Sequence, residues 1–308
     1  MAKVREIASG LRFPEGPIAM DDGSVILVEI ERKTLSRVSP SGKVEVVSQM
    51  EGGPNGAAIG PDGRCYVCNN GGFAWMPHKG TLMPNLQPDD YVGGRIDVVD
   101  LSTGKWEVLY TECNGQPLRG PNDIVFDNKG GFYFSDLGKT RPRDLDAGGL
   151  YYAKADGSYI TEVAYPFLTV NGVGLSPDGK TVYAAETRTA RLWAFDIVKP
   201  GEVAVNTGGF RDMKGRCLYG AGGYQFFDSL AVDFEGNICI ATCVNGGVTS
   251  ISPDGKHVEH IPTGDPITTN ICFGGKDLKT AYLTLSFKGA LGAMDWPRAG
   301  TPLNYLNK

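Results

Sequence analysis

Residues 119–136, RGPNDIVFDNKGGFYFSD, combine a turn with strand-forming residues on both sides. Residues 128–131 are a turn sequence, and a run of aromatic residues follows them, so the stretch predicts a β-hairpin. The first strand of this hairpin opens with Pro, Asn and Asp at residues 121–123, although these residue types are depleted in strands. This opening is explained by the rest of the chain, where the same pattern recurs.

Five hairpins with a glycine in the turn share one register along the chain. The turn glycines are Gly23, Gly63, Gly130, Gly179 and Gly236. The residues eight positions before them are Glu15, Asn55, Asn122, Asn171 and Asp228, and a looser sixth copy places Asn270 at the matching position. Repeats of about 50 residues that contain only short strands are typical of β-propellers, which have about four strands in each blade.

Six copies in 308 residues predict an all-β fold, a six-bladed β-propeller with four-stranded blades around a central channel. We expect this propeller to form a single domain over residues 1–308. Helical repeats of similar length are disfavoured, because no stretch of helix length shows helical periodicity. Residues 71–94 are rich in Gly, Pro and Met and are too long for a hairpin loop, which predicts an insertion at the rim, or a lid.

The six polar residues should face one another, because the first strand of each propeller blade lines the channel. Their carboxylate and amide oxygens are hard ligands that suit Ca²⁺, or Mg²⁺ and Mn²⁺ with fewer ligands. Positions left open to water and substrate would make such an ion catalytic. Alternatively, the six residues join the blades by hydrogen bonds. Acids stand only in the first and fifth copies, and this variation favours a metal or ligand site.

The composition argues against several other classes of protein. A net charge of −5 gives no support to a nucleic-acid partner. No apolar run approaches the ~20 residues of a membrane span, and the first residues lack the apolar core of a signal peptide, so a cytoplasmic location is expected. The seven cysteines are expected to be buried, reduced and without function. Sequence patterns of nucleophile elbows, phosphate-binding loops and HExxH helices are missing.

Seven segments resemble the family that contains the gluconolactonases, regucalcin (senescence marker protein) and the luciferin-regenerating enzyme, and in particular its bacterial sugar lactonases. They are PEGP (14–17), PNGAAIGPDG (54–63), CNNGGF (68–73), GPNDIVFD (120–127), VNGVGLSPDGKTVYAAET (170–187), FDSLAVDFEGN (227–237) and TNICFGGKDLKTAYLT (269–284). The resemblance implies a six-bladed propeller with one divalent metal, Ca²⁺ or Zn²⁺, at the centre of one mouth of the channel.

The same resemblance implies the metal ligands Glu15, Asn171 and Asp228, with Asn122 as a further ligand or a substrate contact. Asn122 matches the asparagine that is the fourth metal ligand in the squid-type phosphofluoridate hydrolase. Those hydrolases carry a second acid three residues after the matching aspartate, where this chain has Ala231. This departure argues against an organophosphate substrate.

The predicted function is the metal-dependent opening of a lactone, with a sugar lactone such as gluconolactone as the first candidate. The ion would polarise the lactone carbonyl, and Asp228 would act as the general base for water. The predicted substrate contacts are Asn122, Asn55, Asn70, Arg119, Asn270 and Ser286, and the predicted pocket walls are Phe73, Trp75 and Met76. Arg119 adjoins Gly120, which stands where regucalcin has its sugar-binding arginine.

Two alternatives remain at this stage. One is a different metal-assisted hydrolysis at the same centre, of a phosphotriester, an aryl ester or a non-sugar lactone. The other is a non-catalytic propeller that binds calcium or a protein. Mn²⁺, Mg²⁺ and Zn²⁺ remain alternatives to Ca²⁺ as the bound ion.

Overall fold

The computed structural model describes residues 3–207 and 213–308, and within these ranges its regular structure is made of β-strands, without helices. Most strands belong to six antiparallel sheets. The predicted fold class, a six-bladed β-propeller, is confirmed. The described residues accordingly include no helix long and apolar enough to cross a membrane.

Each of these sheets is one blade. In blades 1 to 5 the strands run outward from the channel in chain order, and in blade 6 the outermost strand is Arg5–Ser9. Blade 1 consists of Pro14–Ala19, Val25–Glu29, Thr34–Val38 and Val44–Gln49. Blade 2 consists of Pro54–Ile59, Cys65–Asn69, Arg95–Val99 and Trp106–Tyr110. Blade 3 consists of Pro121–Phe126, Gly131–Asp136, Gly148–Lys154 and Ile160–Phe167.

The other three blades follow the same plan. Blade 4 consists of Val170–Leu175, Thr181–Glu186, Arg191–Lys199 and Arg216–Gly220, with the short strand Glu202–Val203 also paired to its third strand. Blade 5 consists of Phe226–Val232, Ile238–Cys243, Gly247–Ile251 and Val258–Pro262. Blade 6 consists of Thr268–Gly274, Thr280–Leu285, Ala290–Asp295 and Arg5–Ser9. Three short strand pairs lie outside the blades: Trp75–His78 with Thr81–Pro84, Glu112–Cys113 with Gln116–Pro117, and Val205–Asn206 with Met213–Lys214.

The six blades close into a ring. Each inner strand contacts the inner strands of both neighbouring blades, and the contact between blades 6 and 1 completes the circle. The outermost strand of blade 6 comes from the beginning of the chain, since Arg5–Ser9 pairs antiparallel with Ala290–Asp295. Hydrogen bonds between two distant parts of the sequence therefore join the ends of the ring.

The five turn glycines of the repeat all adopt the left-handed backbone conformation that a non-glycine residue rarely adopts. Their φ angles lie between 68° at Gly179 and 86° at Gly236. A tight turn after each inner strand reverses the chain with φ above zero, which glycine allows without steric cost. The five glycines that align the repeats in the sequence therefore occupy equivalent positions in the structure.

Six clusters of buried apolar side chains hold the propeller together, and each cluster lies between two adjacent blades. In the second strand of blade 2, Cys65 and Val67 face blade 1, whereas Tyr66 and Cys68 face blade 3. Alternate residues point to opposite faces of a strand, and a blade with a neighbour on each side buries both faces. This explains why the second strands are apolar at nearly every position.

The cysteines are free thiols, and six of the seven are buried as predicted. Cys217 is exposed, so the prediction is wrong for this residue. It lies in the outermost strand of blade 4, Arg216–Gly220, which among the described residues pairs with a strand on one edge only.

Candidate active site

The starts of the six inner strands lie very close to one another at one mouth of the channel. A methyl group on Gly16 would lie 2.5 Å from the carbonyl oxygen of Asn55 in the next blade, and one on Gly172 would lie 2.6 Å from that of Asp228. Only glycine permits this approach of two backbones. The predicted polar residues, which adjoin these glycines, are thereby brought to one mouth.

Glu15 is almost completely buried, with 3% of its surface exposed. Its Oε2 accepts hydrogen bonds of 2.8 Å from the backbone N–H of Gly16 and from Nδ2 of Asn270. Burial raises the pKa of Glu15 from 4.5 to about 7, because the carboxylate loses its hydration in the protein interior. A positive charge at this position would favour the ionised form.

Asp228 is the more accessible acid of the ring, since its side chain is half-buried. Burial, followed by the negative charge of Glu15, raises the pKa of Asp228 well above its usual range. The thiol of Cys243 donates a hydrogen bond to Oδ2 of Asp228 over 3.3 Å. The two acids are therefore close enough to repel each other when both are ionised.

The two ring amides, Asn171 and Asn122, differ in their hydrogen bonds. Asn171 Oδ1 accepts a hydrogen bond of 3.2 Å from the hydroxyl of Ser229. Asn122 is buried, and within the described part of the chain its Oδ1 has no hydrogen-bond partner. A buried carbonyl oxygen without a donor is costly, at about 1–3 kcal/mol, so Asn122 Oδ1 is suited to a bound cation or ligand.

These residues fit a divalent cation. Two carboxylates that repel each other and two amide oxygens, one of them unpartnered, form the hard, oxygen-rich donor set that Ca²⁺ prefers. No group of three or more His, Cys, Asp or Glu side chains that could hold a metal occurs in residues 3–207 and 213–308. This agrees with a site in which amides supply part of the ligand set.

Two of the predicted substrate contacts are engaged in bonds within the protein. The Asn270 amide donates to Glu15, and its Oδ1 accepts a bond of 2.7 Å from the N–H of Ile271. The Ser286 hydroxyl donates to the carbonyl oxygen of Pro14 over 2.7 Å. Both residues thus tie blade 6 to the start of blade 1, and their contact with substrate remains a prediction.

The other predicted contacts differ in their accessibility. Asn55 and Asn70 are buried at the mouth, whereas the side chain of Arg119 is exposed. The backbone of Arg119 is held in place, because its N–H donates to Asp136 over 2.7 Å and its carbonyl oxygen accepts from the Tyr91 hydroxyl over 2.6 Å. Arg119 therefore projects an exposed guanidinium group from a fixed backbone position.

Sequence reasoning missed Asp123, which directly follows Asn122. Its two oxygens accept bonds of 3.0 Å from the backbone N–H groups of Ile124 and Val173, the second of which belongs to the next blade. Burial, with a contribution from the charge of Glu15, raises the pKa of Asp123 to about 7. Asp123 thus joins blades 3 and 4 immediately below the ring.

Four further polar residues, missed by the sequence reasoning, position the loops that lead into the ring. These residues end the second strands of blades 1 to 4 and are Glu29, Asn69, Asp136 and Glu186. Each accepts a hydrogen bond from a backbone N–H in the loop just before the inner strand, at Arg12, Gly53, Arg119 and Leu168, respectively. The repeats could have predicted these four residues, because an acid or Asn ends the second strand in each of these four copies.

The insertion at residues 71–94 connects the second and third strands of blade 2, and this connection lies at the same mouth as the ring. Trp75 packs against Phe13 of the loop before blade 1, with ring centroids 5.4 Å apart, and against Phe73 at 6.4 Å. Met76 is 46% exposed. Phe73 and Trp75 are thus held against the mouth, and their role as pocket walls remains a prediction, as does that of Met76.

A cavity of about 210 Å³ lies in the channel below the ring. Asp123 and Asn270 are at its upper end, and most of its walls are apolar residues from the later part of the inner strands. Residues 301–304, 306 and 308 line its lower end. The site chemistry lies above this cavity, because Glu15, Asn122 and Asp228 do not line it.

The fold and the ring define a class of protein, a six-bladed β-propeller with a carboxylate and amide oxygen site at one mouth of its channel. The chain belongs to the SMP-30/gluconolactonase/LRE-like family, whose model matches residues 13–287. This stretch includes every predicted site residue.

Similar proteins include a gluconolactonase from Zymomonas mobilis, 24% identical over 92% of this chain and 79% of its own length. A lactonase, drp35, from Staphylococcus saprophyticus is 29% identical over 78% of this chain and 66% of its own length. Among solved structures, a gluconolactonase from Xanthomonas campestris has a TM-score of 0.75, with 20% identity and coverage of 96% of this chain and 90% of that protein. A calcium-binding regucalcin from Agrobacterium tumefaciens has a TM-score of 0.73, with 19% identity and coverage of 98% and 95%.

Proposed function

We propose that this protein is a lactone hydrolase that uses one divalent cation, with Ca²⁺ as the first candidate, held by Glu15, Asn122, Asn171 and Asp228. The observation that carries the proposal is the buried ring of oxygens. Two acids with raised pKa values and the Asn122 oxygen, which has no partner among the described residues, belong to this ring. Sequence similarity to proteins named gluconolactonase and lactonase supports hydrolysis of a lactone as the reaction.

A divalent cation held by these four residues would supply a positive charge that stabilises negative charge on the carbonyl oxygen of an ester. Asp228 is the residue that moves the proton, because it is the ring acid within reach of solvent. Its Oδ takes a proton from the attacking water, and the proton is then passed to the ring oxygen of the lactone as that bond breaks. The Cys243 thiol orients the Asp228 carboxylate for this transfer.

The substrate class is a sugar lactone such as gluconolactone. A sugar lactone carries several hydroxyl groups, and the mouth offers Asn55, Asn70 and Asn122 as buried amides and Arg119 as an exposed cation. Asn270 and Ser286 complete the set of proposed contacts. The half-buried rings of Phe73 and Trp75 would cover the apolar face of the sugar.

The test measures the hydrolysis of a panel of lactones by metal-stripped protein. The release of acid reports each reaction. The panel contains gluconolactone, xylonolactone and simple γ- and δ-lactones, and Ca²⁺, Zn²⁺, Mn²⁺ or Mg²⁺ is added back separately. Asp228→Asn should lower kcat by at least about 100-fold, the usual contribution of a general base. The matched control is Asp254→Asn, which changes an exposed acid in a turn of blade 5 and should retain full activity.

Activity restored by one of the metals and lost in Asp228→Asn would support both the ion and the base. Turnover that does not depend on any metal, or normal turnover in Asp228→Asn, would refute the mechanism. An aryl ester and a phosphotriester in the same panel test the other ester classes. Tight metal binding without turnover of any ester would favour a binding propeller.

A further inference from the structure

Lys139 is a buried lysine whose ammonium group donates hydrogen bonds to neutral acceptors, with the carboxylates of Asp136 and Asp146 near enough to act on its charge. Only 2% of the residue is exposed. Its Nζ donates to the carbonyl oxygen of Gly72 over 2.6 Å and to Oδ1 of Asn70 over 3.4 Å. The same nitrogen lies 4.2 Å from the ring centroid of Phe73 and 5.4 Å from that of Tyr91. Lys139 belongs to blade 3, whereas its four partners belong to the end of a blade 2 strand and the insertion.

The carboxamide of Asn70 is held in one orientation. Its Oδ1 accepts a second hydrogen bond, of 2.8 Å, from the backbone N–H of Gly72. A backbone N–H can only donate, so this contact identifies the oxygen and places the NH₂ group on the other side. Asn70 is fully buried, and its Nδ2 has no hydrogen-bond partner within the described ranges.

Asn70 is adjacent to the ring. Its backbone N–H donates to the carbonyl oxygen of Gly53 over 2.8 Å, and Gly53 stands two residues before Asn55. A side chain on Gly53 would overlap Asn70 Oδ1, so the carboxamide is packed directly against the start of the inner strand. The Asn70 carboxamide therefore lies beside the start of an inner strand, with its unpartnered NH₂ group buried.

We propose that Lys139 is a positioning residue for Asn70, and that the free NH₂ group of Asn70 donates a hydrogen bond to a hydroxyl oxygen of a polyhydroxylated substrate. This inference rests on the proposed lactone hydrolysis and deepens it by assigning recognition of substrate hydroxyls. Lys139 acts through its hydrogen bonds to the Gly72 carbonyl oxygen and to Asn70 Oδ1, which fix the orientation of the Asn70 carboxamide. A buried donor without a partner is costly, and an acceptor on the substrate removes that cost.

The burial of Lys139 supports a functional reason for its presence. Burial lowers the pKa of Lys139 to about 7, because the ammonium group loses its hydration and the charges of Asp136 and Asp146 offset this loss only in part. A methionine of similar length would pack against Phe73 without this cost. The lysine is therefore explained better by the groups that it orients than by the stability of the loop.

The test compares Lys139→Met with the wild-type protein on two substrates, gluconolactone and the unsubstituted δ-valerolactone. We expect kcat/KM for gluconolactone to fall about tenfold, the value of one hydrogen bond, and that for δ-valerolactone to fall less than threefold. Asn70→Leu should show the same selectivity. The double variant should be no worse than Asn70→Leu, because both changes remove one interaction.

Lys154→Met is the matched control. Lys154 Nζ also donates to a carbonyl oxygen, that of Lys129, over 2.7 Å and lies 6.0 Å from the ring of Tyr152, but at the opposite end of blade 3. This variant should not discriminate between the two lactones. Melting temperatures of all variants identify any that fail to fold.

Equal losses on both lactones, or no loss, would overturn the inference even if the protein is a lactonase. Failure of the wild-type protein to cleave either lactone refutes the proposed function instead. In that case, calorimetry with gluconate decides the inference separately. Binding that is about tenfold weaker in Lys139→Met supports it, and equal affinity or a lack of binding to the wild-type protein overturns it.

Discussion

Replacing Glu15 with glutamine should stabilise the metal-free protein at alkaline pH. Burial raises the pKa of Glu15 from 4.5 to about 7 in the folded protein, which therefore holds a proton that the unfolded chain has lost between these pH values. The free energy of unfolding thus falls as the pH rises through this window. The loss contributed by Glu15 is about 3 kcal/mol at pH 8 and about 1 kcal/mol or less at pH 5.

Glutamine has the same shape as the glutamate, and its carbonyl oxygen accepts the bonds from Gly16 and Asn270, while it carries no charge. Urea denaturation in the presence of a chelator, at pH 5 and pH 8, measures the difference. We expect Glu15→Gln to gain about 3 kcal/mol at pH 8 relative to the wild-type protein and to lose metal binding. Glu259→Gln, at an exposed position of blade 5, is the control and should change neither quantity. A variant less stable than the wild-type protein at pH 8, or an equal gain at both pH values, would contradict the reasoning.

Two further predictions concern the ring. Gly56→Ala places a methyl group against the backbone of Asn122, so it should destabilise the protein by about 1–3 kcal/mol in urea and weaken metal binding. Gly63→Ala, at φ 77° with open space around the new methyl group, should cost about 1–2 kcal/mol through backbone strain and leave metal affinity unchanged. Cys243→Ala removes the hydrogen-bond donor to Asp228 and should weaken metal binding about tenfold, as measured by calorimetry. Cys243→Ser keeps a donor and should bind the metal more tightly than Cys243→Ala. Equal metal affinities in the wild-type protein and both variants would contradict this role of Cys243.

The propeller could be predicted from the sequence because each blade repeats a local pattern. A turn glycine and a polar residue eight positions before it are both requirements of one hairpin, and the structure gives the five turn glycines one conformation. The outer strand of blade 6 could not be predicted in this way. Arg5–Ser9 lies before the first repeat, and its pairing with Ala290–Asp295 depends on ring closure and not on a nearby turn.

The candidate site was predictable where it follows the repeat and not elsewhere. Register alone brought Glu15, Asn122 and Asp228 to the starts of inner strands. Lys139 and Cys243 reach the mouth through tertiary contacts, Lys139 from a loop after the second strand of blade 3 and Cys243 from the end of the second strand of blade 5. No other copy carries a cysteine at the position of Cys243, so the repeat gives no signal for it. The first and fourth copies carry Arg32 and Arg188 at the position of Lys139, so the repeat indicates a basic residue there but not its burial.

The pairing of Arg5–Ser9 with Ala290–Asp295 also sets an order for folding during synthesis. Five blades are contiguous in sequence, and each can pair its strands as it leaves the ribosome. The sixth sheet is complete only when Arg5–Ser9 meets Ala290–Asp295, which is synthesised much later. Contacts of such long sequence separation form slowly, so we expect Arg5–Ser9 to stay unpaired until residues 290–295 have been synthesised.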